Sequence, residues 1–178
     1  MKYALPIRAV LSCLAFASAV AAAQDIVALR QADMKAIAAA AKTISGMFKE
    51  PTTYSSLEFK QAADTIRDKS GEVLIGHFSE ITADPRSRAT PDIVEERDRF
   101  DRLANDLTAY ASALSTAAVE NPQAMSDSMR MKPGEPMGGG PLGIHIRSEA
   151  TLSSIPAEHV FHLMLQTCAT CHSRFRMD

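Results

Sequence analysis

Apolar positions recur every three or four residues along most of this chain, the spacing of amphipathic helices rather than the alternation of strands. From Asp25 to about Glu50, Met34, Ile37, Ala41, Ile44 and Phe48 form a narrow seam, and Pro51 predicts its end because proline cannot continue a helix. A second segment, about 55–80, places Phe59, Ala63, Ile66, Val73 and His77 on a similar repeat, with Gly71 and Gly76 weakening its last turns. A third begins after Thr90-Pro91, a capping residue followed by a first-turn proline, and runs to about Val119 with Ile93, Phe100, Leu103, Leu107, Tyr110 and Leu114 inward. The fourth starts near Pro156 and continues through Phe161, Leu163, Leu165, Cys168 and Phe175. Four such stripes are satisfied by facing one another, which predicts an all-α, antiparallel four-helix bundle.

The stretch from about Glu120 to Ala150 breaks the pattern. It holds Pro122, Pro133, Pro136 and Pro141, the triplet Gly138-Gly-Gly140, and methionines at 125, 129, 131 and 137, so it reads as a long loop between the third and fourth helices. Copper capture by its thioethers would suit an exported protein. An adaptable methionine-rich segment packed on the bundle is the reading we expect.

At the N-terminus, Lys2 and Arg8 precede an apolar run from Ala9 to Ala23 that ends in small residues, the pattern of a secretory signal peptide occupying residues 1–23. The run is shorter than the roughly 20 apolar residues of a membrane span, so no stable membrane anchor is expected. Cys13 is expected to leave with the signal. The expected product, residues 24–178, is one domain in an exported, periplasmic setting. Without Lys2 and Arg8 the 19 basic residues become 17 against 21 acidic ones, and this mild acidity argues against nucleic acid as a partner.

Two cysteines then remain, in Cys168-Ala-Thr-Cys171-His172. This spacing is that of covalent haem attachment: two thiols one helical turn apart add to the two vinyl groups, and the adjacent imidazole reaches the iron. A disulfide or a thioredoxin-like pair is the alternative, but the latter should follow a strand in a βαβ unit, and no strand pattern is present. A structural zinc site needs two further ligands at a fixed spacing, which are not evident.

Arg30-Gln31 and Met34-Lys35-Ala-Ile37 in the first helix, with Cys168-Ala-Thr-Cys171-His172-Ser-Arg-Phe175-Arg176 at the far end, resemble the class II cytochromes c, the cytochrome c′ family. Pro91-Asp-Ile93 and Phe100 fit the same pattern, while Val94 stands where many members have tryptophan. The resemblance covers the mature chain except the methionine-rich loop. It implies one haem c held by Cys168 and Cys171, with His172 as axial ligand. It splits two ways at Met34: a methionine ligand there implies an electron carrier, whereas an open iron face implies binding of nitric oxide or carbon monoxide. Met34 favours the carrier.

The resemblance also suggests Arg30 as partner of a haem propionate, with Gln31 sharing that role weakly; an arginine fork suits a carboxylate. Arg176 resembles the arginine of the family's terminal motif, although its place near the chain end invites fraying. Phe175 is expected to pack on the haem or the core. Redox proteins are the expected partners, and an antiparallel homodimer through the first two helices is allowed.

His77, His145, His159 and His162 are expected as ordinary surface or core histidines, Met47 and Met164 as core, and Glu95-Glu-Arg-Asp-Arg99 as a solvated face. No nucleophile is paired with a base, so an enzymatic activity is not expected.

Overall fold

The structure, a computed structural model, describes residues 25–79, 83–134 and 149–177. The expectations placed on residues 1–23, Pro136, Met137, Gly138–Gly140, Pro141 and His145 lie outside the described residues. The helices are α1 (Ile26–Lys49), α2 (Ser56–Asp68), α3 (Gly71–His77), α4 (Asp92–Glu95), α5 (Arg97–Glu120), α6 (Glu149–Leu152) and α7 (Ala157–Phe175). α2 packs on α5, α5 on α7 and α1 on α2, and these make the four-helix bundle, with α3 continuing α2 and α4 leading into α5.

Helix ends follow their local chemistry. The Asp25 carboxylate accepts the Ala28 amide at 3.0 Å and starts α1. The Ser55 hydroxyl accepts the Glu58 amide at 3.3 Å and starts α2, in a Ser-x-x-Glu sequence typical of helix starts. Pro51 ends α1 as expected and opens a short 3-10 turn over Pro51–Thr53.

Two of the expected helices are interrupted. The second breaks between Asp68 and Gly71, where Gly71 takes a φ of +55° that non-glycine residues avoid. The break changes the phase of the inward face: Leu74 is buried, and Val73, expected inward, is 44% exposed. The third breaks at Glu96, leaving α4 as a single turn before α5. Arg97, just after the second interruption, ties α5 to the end of α3, since its guanidinium donates to the Phe78 carbonyl at 2.7 Å and the Ile75 carbonyl at 3.0 Å. It thereby satisfies carbonyls at the C-terminal end of α3, which has no further turn to accept them.

The core has two parts. The larger, through Ile44, Phe59, Ile66, Leu114 and Met164, fills the bundle interior. The smaller, built on Leu74, Ile93, Phe100, Leu103 and Phe175, lies beside the C-terminal end of α7. Of the loop methionines among the described residues, two belong to the larger part and Met131 is half-buried. Met129 is buried and Met125 packs against the larger core, so at these two positions the expected packing role holds and the thioethers are spent on apolar contacts. Glu158 fastens this loop by accepting from the Arg130 side chain at 3.0 Å and the Met131 amide at 2.9 Å.

Candidate haem site

On α7, Cys168, Cys171, His172 and Phe175 stand at i, i+3, i+4 and i+7, which puts thiols, imidazole and ring on one face. On α1, Val27, Arg30, Gln31, Met34, Lys35 and Ala38 follow the same spacing. The two faces meet around a pocket of about 390 Å³ that opens between α1 and α7 and is closed beneath by Leu74, Phe78, Ile93 and Phe100. The volume is that of a small cofactor site.

A third wall comes from Arg86, Ser87, Arg88 and Ala89, in the segment between α3 and α4. This strap is zipped to the chain end: Ala89 and Arg176 form an antiparallel bridge, the Thr90 amide donates to the Phe175 carbonyl at 3.0 Å, and the Met177 amide donates to the Arg88 carbonyl at 2.7 Å. Arg174 adds ion pairs to Asp92 and Glu96. The chain end at Arg176, for which fraying was the alternative, is therefore paired. Nothing in the sequence pattern pointed to the strap, because its residues form no periodic element.

Seven of the eight expected site residues line this pocket: Arg30, Gln31, Met34, Cys171, His172, Phe175 and Arg176. Cys168 does not. It sits one turn earlier on α7 and packs against the larger core, whereas Met34 and Cys171 both pack against the smaller one. Phe175 is buried, its ring meeting Phe100 edge-on with centroids 5.5 Å apart.

Arg30 is more enclosed than a rim residue. It is 6% exposed, its Nε donates to the His77 carbonyl at 2.7 Å, and its guanidinium lies 4.2 Å over the Phe78 ring. Gln31 donates to the Arg86 carbonyl at 3.1 Å, tying the strap to α1. His77 faces Asp33, with Nδ1 3.4 Å from the carboxylate, and Lys69 pairs with the same buried aspartate. His159 is buried on α7, and His162 is half-buried.

Electrostatics prepare the donors. Burial, with help from the nearby Arg176 charge, holds the His172 pKa below its usual value, so the imidazole is neutral at pH 7 and keeps a lone pair for a metal. Burial also raises the Cys168 thiol, and burial beside Cys168 pushes Cys171 up to about 11. Both side chains thus stay as thiols, the form that adds across a vinyl group. A pocket with an apolar floor, a neutral imidazole, one thiol in its lining with the second a turn earlier on the same helix, and arginines at its edge fits a haem with its two carboxylates.

Such a pocket in a four-helix bundle defines a bundle-type haem protein. The sequence profile described as Cytochrome C′ matches residues 25–133, more than half of the 178-residue chain. Cytochrome c′ from Thermochromatium tepidum superposes with a TM-score of 0.59 at 16% identity, covering 86% of this chain and 95% of that one. A triple mutant of Rhodopseudomonas palustris cytochrome c′ superposes with a TM-score of 0.56 at 25% identity, covering 88% of this chain and all of that one (100%). No curated protein sequence matches. The chain belongs to the cytochrome c′ family, whose members are haem c-binding cytochromes. The matched segment stops before Cys168, so the attachment motif stands on its own residues.

Proposed function

We propose that this chain is an exported electron carrier holding one haem c covalently on Cys168 and Cys171, with His172 and Met34 as the two axial iron ligands. The observation that supports the reading is that Met34 on α1 and His172 on α7 line one pocket from two different helices. When bound, the haem supplies a one-electron couple at its iron. Met34 and His172 are a thioether and an imidazole, a pair that favours the reduced state and raises the potential. Leu74, Phe100 and Phe175 exclude water from the pocket floor, which limits the rearrangement that accompanies a change of charge. Arg30, Arg88 and Arg176 are the cations available to the cofactor carboxylates. Export is supported by the signal-like residues 1–23; among the described residues no helix is long and apolar enough to cross a membrane.

The second reading is a five-coordinate protein that binds nitric oxide or carbon monoxide. It draws on the name shared by the family and both structural neighbours, and it makes Met34 a packing residue of the smaller core. Spectra separate the two. Met34 ligation gives low-spin oxidised iron with a sulfur-to-iron charge-transfer band, and Met34→Ala then becomes high-spin and binds carbon monoxide when reduced. An unmodified protein that is already high-spin and takes up carbon monoxide rapidly overturns the carrier reading. Haem that leaves in acid-acetone overturns covalent attachment.

A further inference from the structure

One exposed side of α1 carries charge of a single sign. Lys35, Lys42 and Lys49 fall seven residues apart on α1, so they lie in one row along its exposed side, about 21 Å from first to last at 1.5 Å per residue. Lys35 lines the haem pocket, so the row runs from the far end of α1 up to the pocket mouth. The acidic residues of α1 and its flanks do not cancel this stripe. Asp33 is buried against Lys69; Arg86 pairs with Asp25 and Asp84 at the other end of α1 and offsets one of their two charges; Glu50, beside Lys49, offsets one charge of the row, which stays net positive. Lys35, Lys42 and Lys49 form no ion pair among the described residues, and none of the three is among the cations assigned to the cofactor carboxylates. This is a basic ridge of net positive charge on a chain whose overall balance is −2.

The haem site does not explain the ridge, because Lys42 and Lys49 are outside the pocket lining. We infer that the ridge is the docking face for an acidic surface of the redox partner protein, and that it seats the partner against the mouth of the haem pocket. The inference rests on the electron-carrier reading. Its physical basis is charge complementarity: a stripe of one sign steers an oppositely charged partner and fixes its register while adding little affinity, which suits a transient electron-transfer encounter. A second copy set across this face by a two-fold axis brings lysines against lysines. A lipid surface is disfavoured because the large exposed apolar side chains, Leu57, Val73, Val94, Val119, Leu165 and Met177, are not on α1, and a membrane-lying helix needs such anchors.

The test uses the haem-loaded protein and a fluorescein-labelled decaglutamate peptide as the acidic probe, read by polarisation at low ionic strength. Lys42→Glu/Lys49→Glu should weaken binding about tenfold or more with an unchanged haem spectrum. Arg99→Glu/Arg102→Glu, on α5, changes net charge by the same amount and should leave binding within about twofold. Absence of binding, or equal loss in both variants, overturns the docking face. Co-sedimentation with phosphatidylglycerol vesicles at physiological salt, lost in Lys42→Glu/Lys49→Glu, assigns the ridge to lipid and overturns the protein partner. Dimerisation abolished by the same variant assigns it to a second copy and does likewise. The peptide readout does not depend on iron coordination, so a high-spin spectrum refutes the carrier reading without changing this binding result.

Discussion

Replacing Gly71 by alanine tests whether the break between α2 and α3 is built in or incidental. Gly71 has a φ of +55°, and a Cβ added there meets Thr108 Oγ1 at 2.6 Å and Asn105 Oδ1 at 3.3 Å. The left-handed backbone costs an L-residue about 1–2 kcal/mol. The clash must be relieved by turning Thr108, whose hydroxyl pairs with Ser70 Oγ at 2.8 Å, and losing that bond costs about 1 kcal/mol more. Reduced freedom of the unfolded chain returns about 0.4–1 kcal/mol. The net is a loss of about 2 kcal/mol, or a fall in Tm of about 4–8 °C for a chain of this length. Thermal melts followed by circular dichroism at the helix band would measure it on the haem-loaded protein. Gly46→Ala is the control, because nothing lies within 4 Å of its added Cβ; it should gain about 0.5–1 kcal/mol as an ordinary helix-interior change. In a Thr108→Ala background the cost at Gly71 should shrink by about 1 kcal/mol, because the clash and the lost hydroxyl pair disappear together. Gly71→Ala melting no lower than Gly46→Ala would refute the reasoning. The site should respond too, since α3 carries Leu74 and leads to Phe78, and its His77 carbonyl anchors Arg30.

Arg30→Leu should destabilise the protein by about 2–3 kcal/mol in urea titrations, through loss of a charge-assisted bond to His77 and of its contact with the Phe78 ring. The same change should shift the midpoint potential and its pH dependence; an unchanged redox titration speaks against a carboxylate contact. In chain made without haem attachment, iodoacetamide should label Cys171 slowly at pH 8 and much faster near pH 11, following a thiol pushed up to about 11. Rapid labelling at pH 8 would show that the thiol is not held in a buried setting. The hydrogen bond from Arg174 holds the Glu96 carboxyl below its ordinary value of 4.5, so its stabilisation is present above that pH and is lost as pH falls through the lowered pKa. Glu96→Gln should therefore flatten stability across that acid window, and an acid limb identical to the parent's counts against the pair.

Much of this architecture was local enough to read along the chain. The three-and-four spacing of Ile44, Phe59, Leu107 and Phe161 marks the faces that do become buried, since a helix aligns such residues whatever it packs against. That Cys168, Cys171 and His172 share one face of a helix was legible for the same reason: five consecutive residues on one helix settle their own relative placement. Distance along the chain is where reading stopped. The strap over residues 86–89 meets the chain end by backbone hydrogen bonds, which carry no side-chain signature, and Arg30 binds a carbonyl 47 residues away. The phase change at Gly71, which exchanges Leu74 for Val73 at the core, depends on Thr108 and Asn105 of α5 pressing close to the backbone there. Helix and motif were decided by the sequence through near neighbours; which helices face one another, and hence that Met34 and His172 share a pocket, was decided only when distant apolar faces closed on each other.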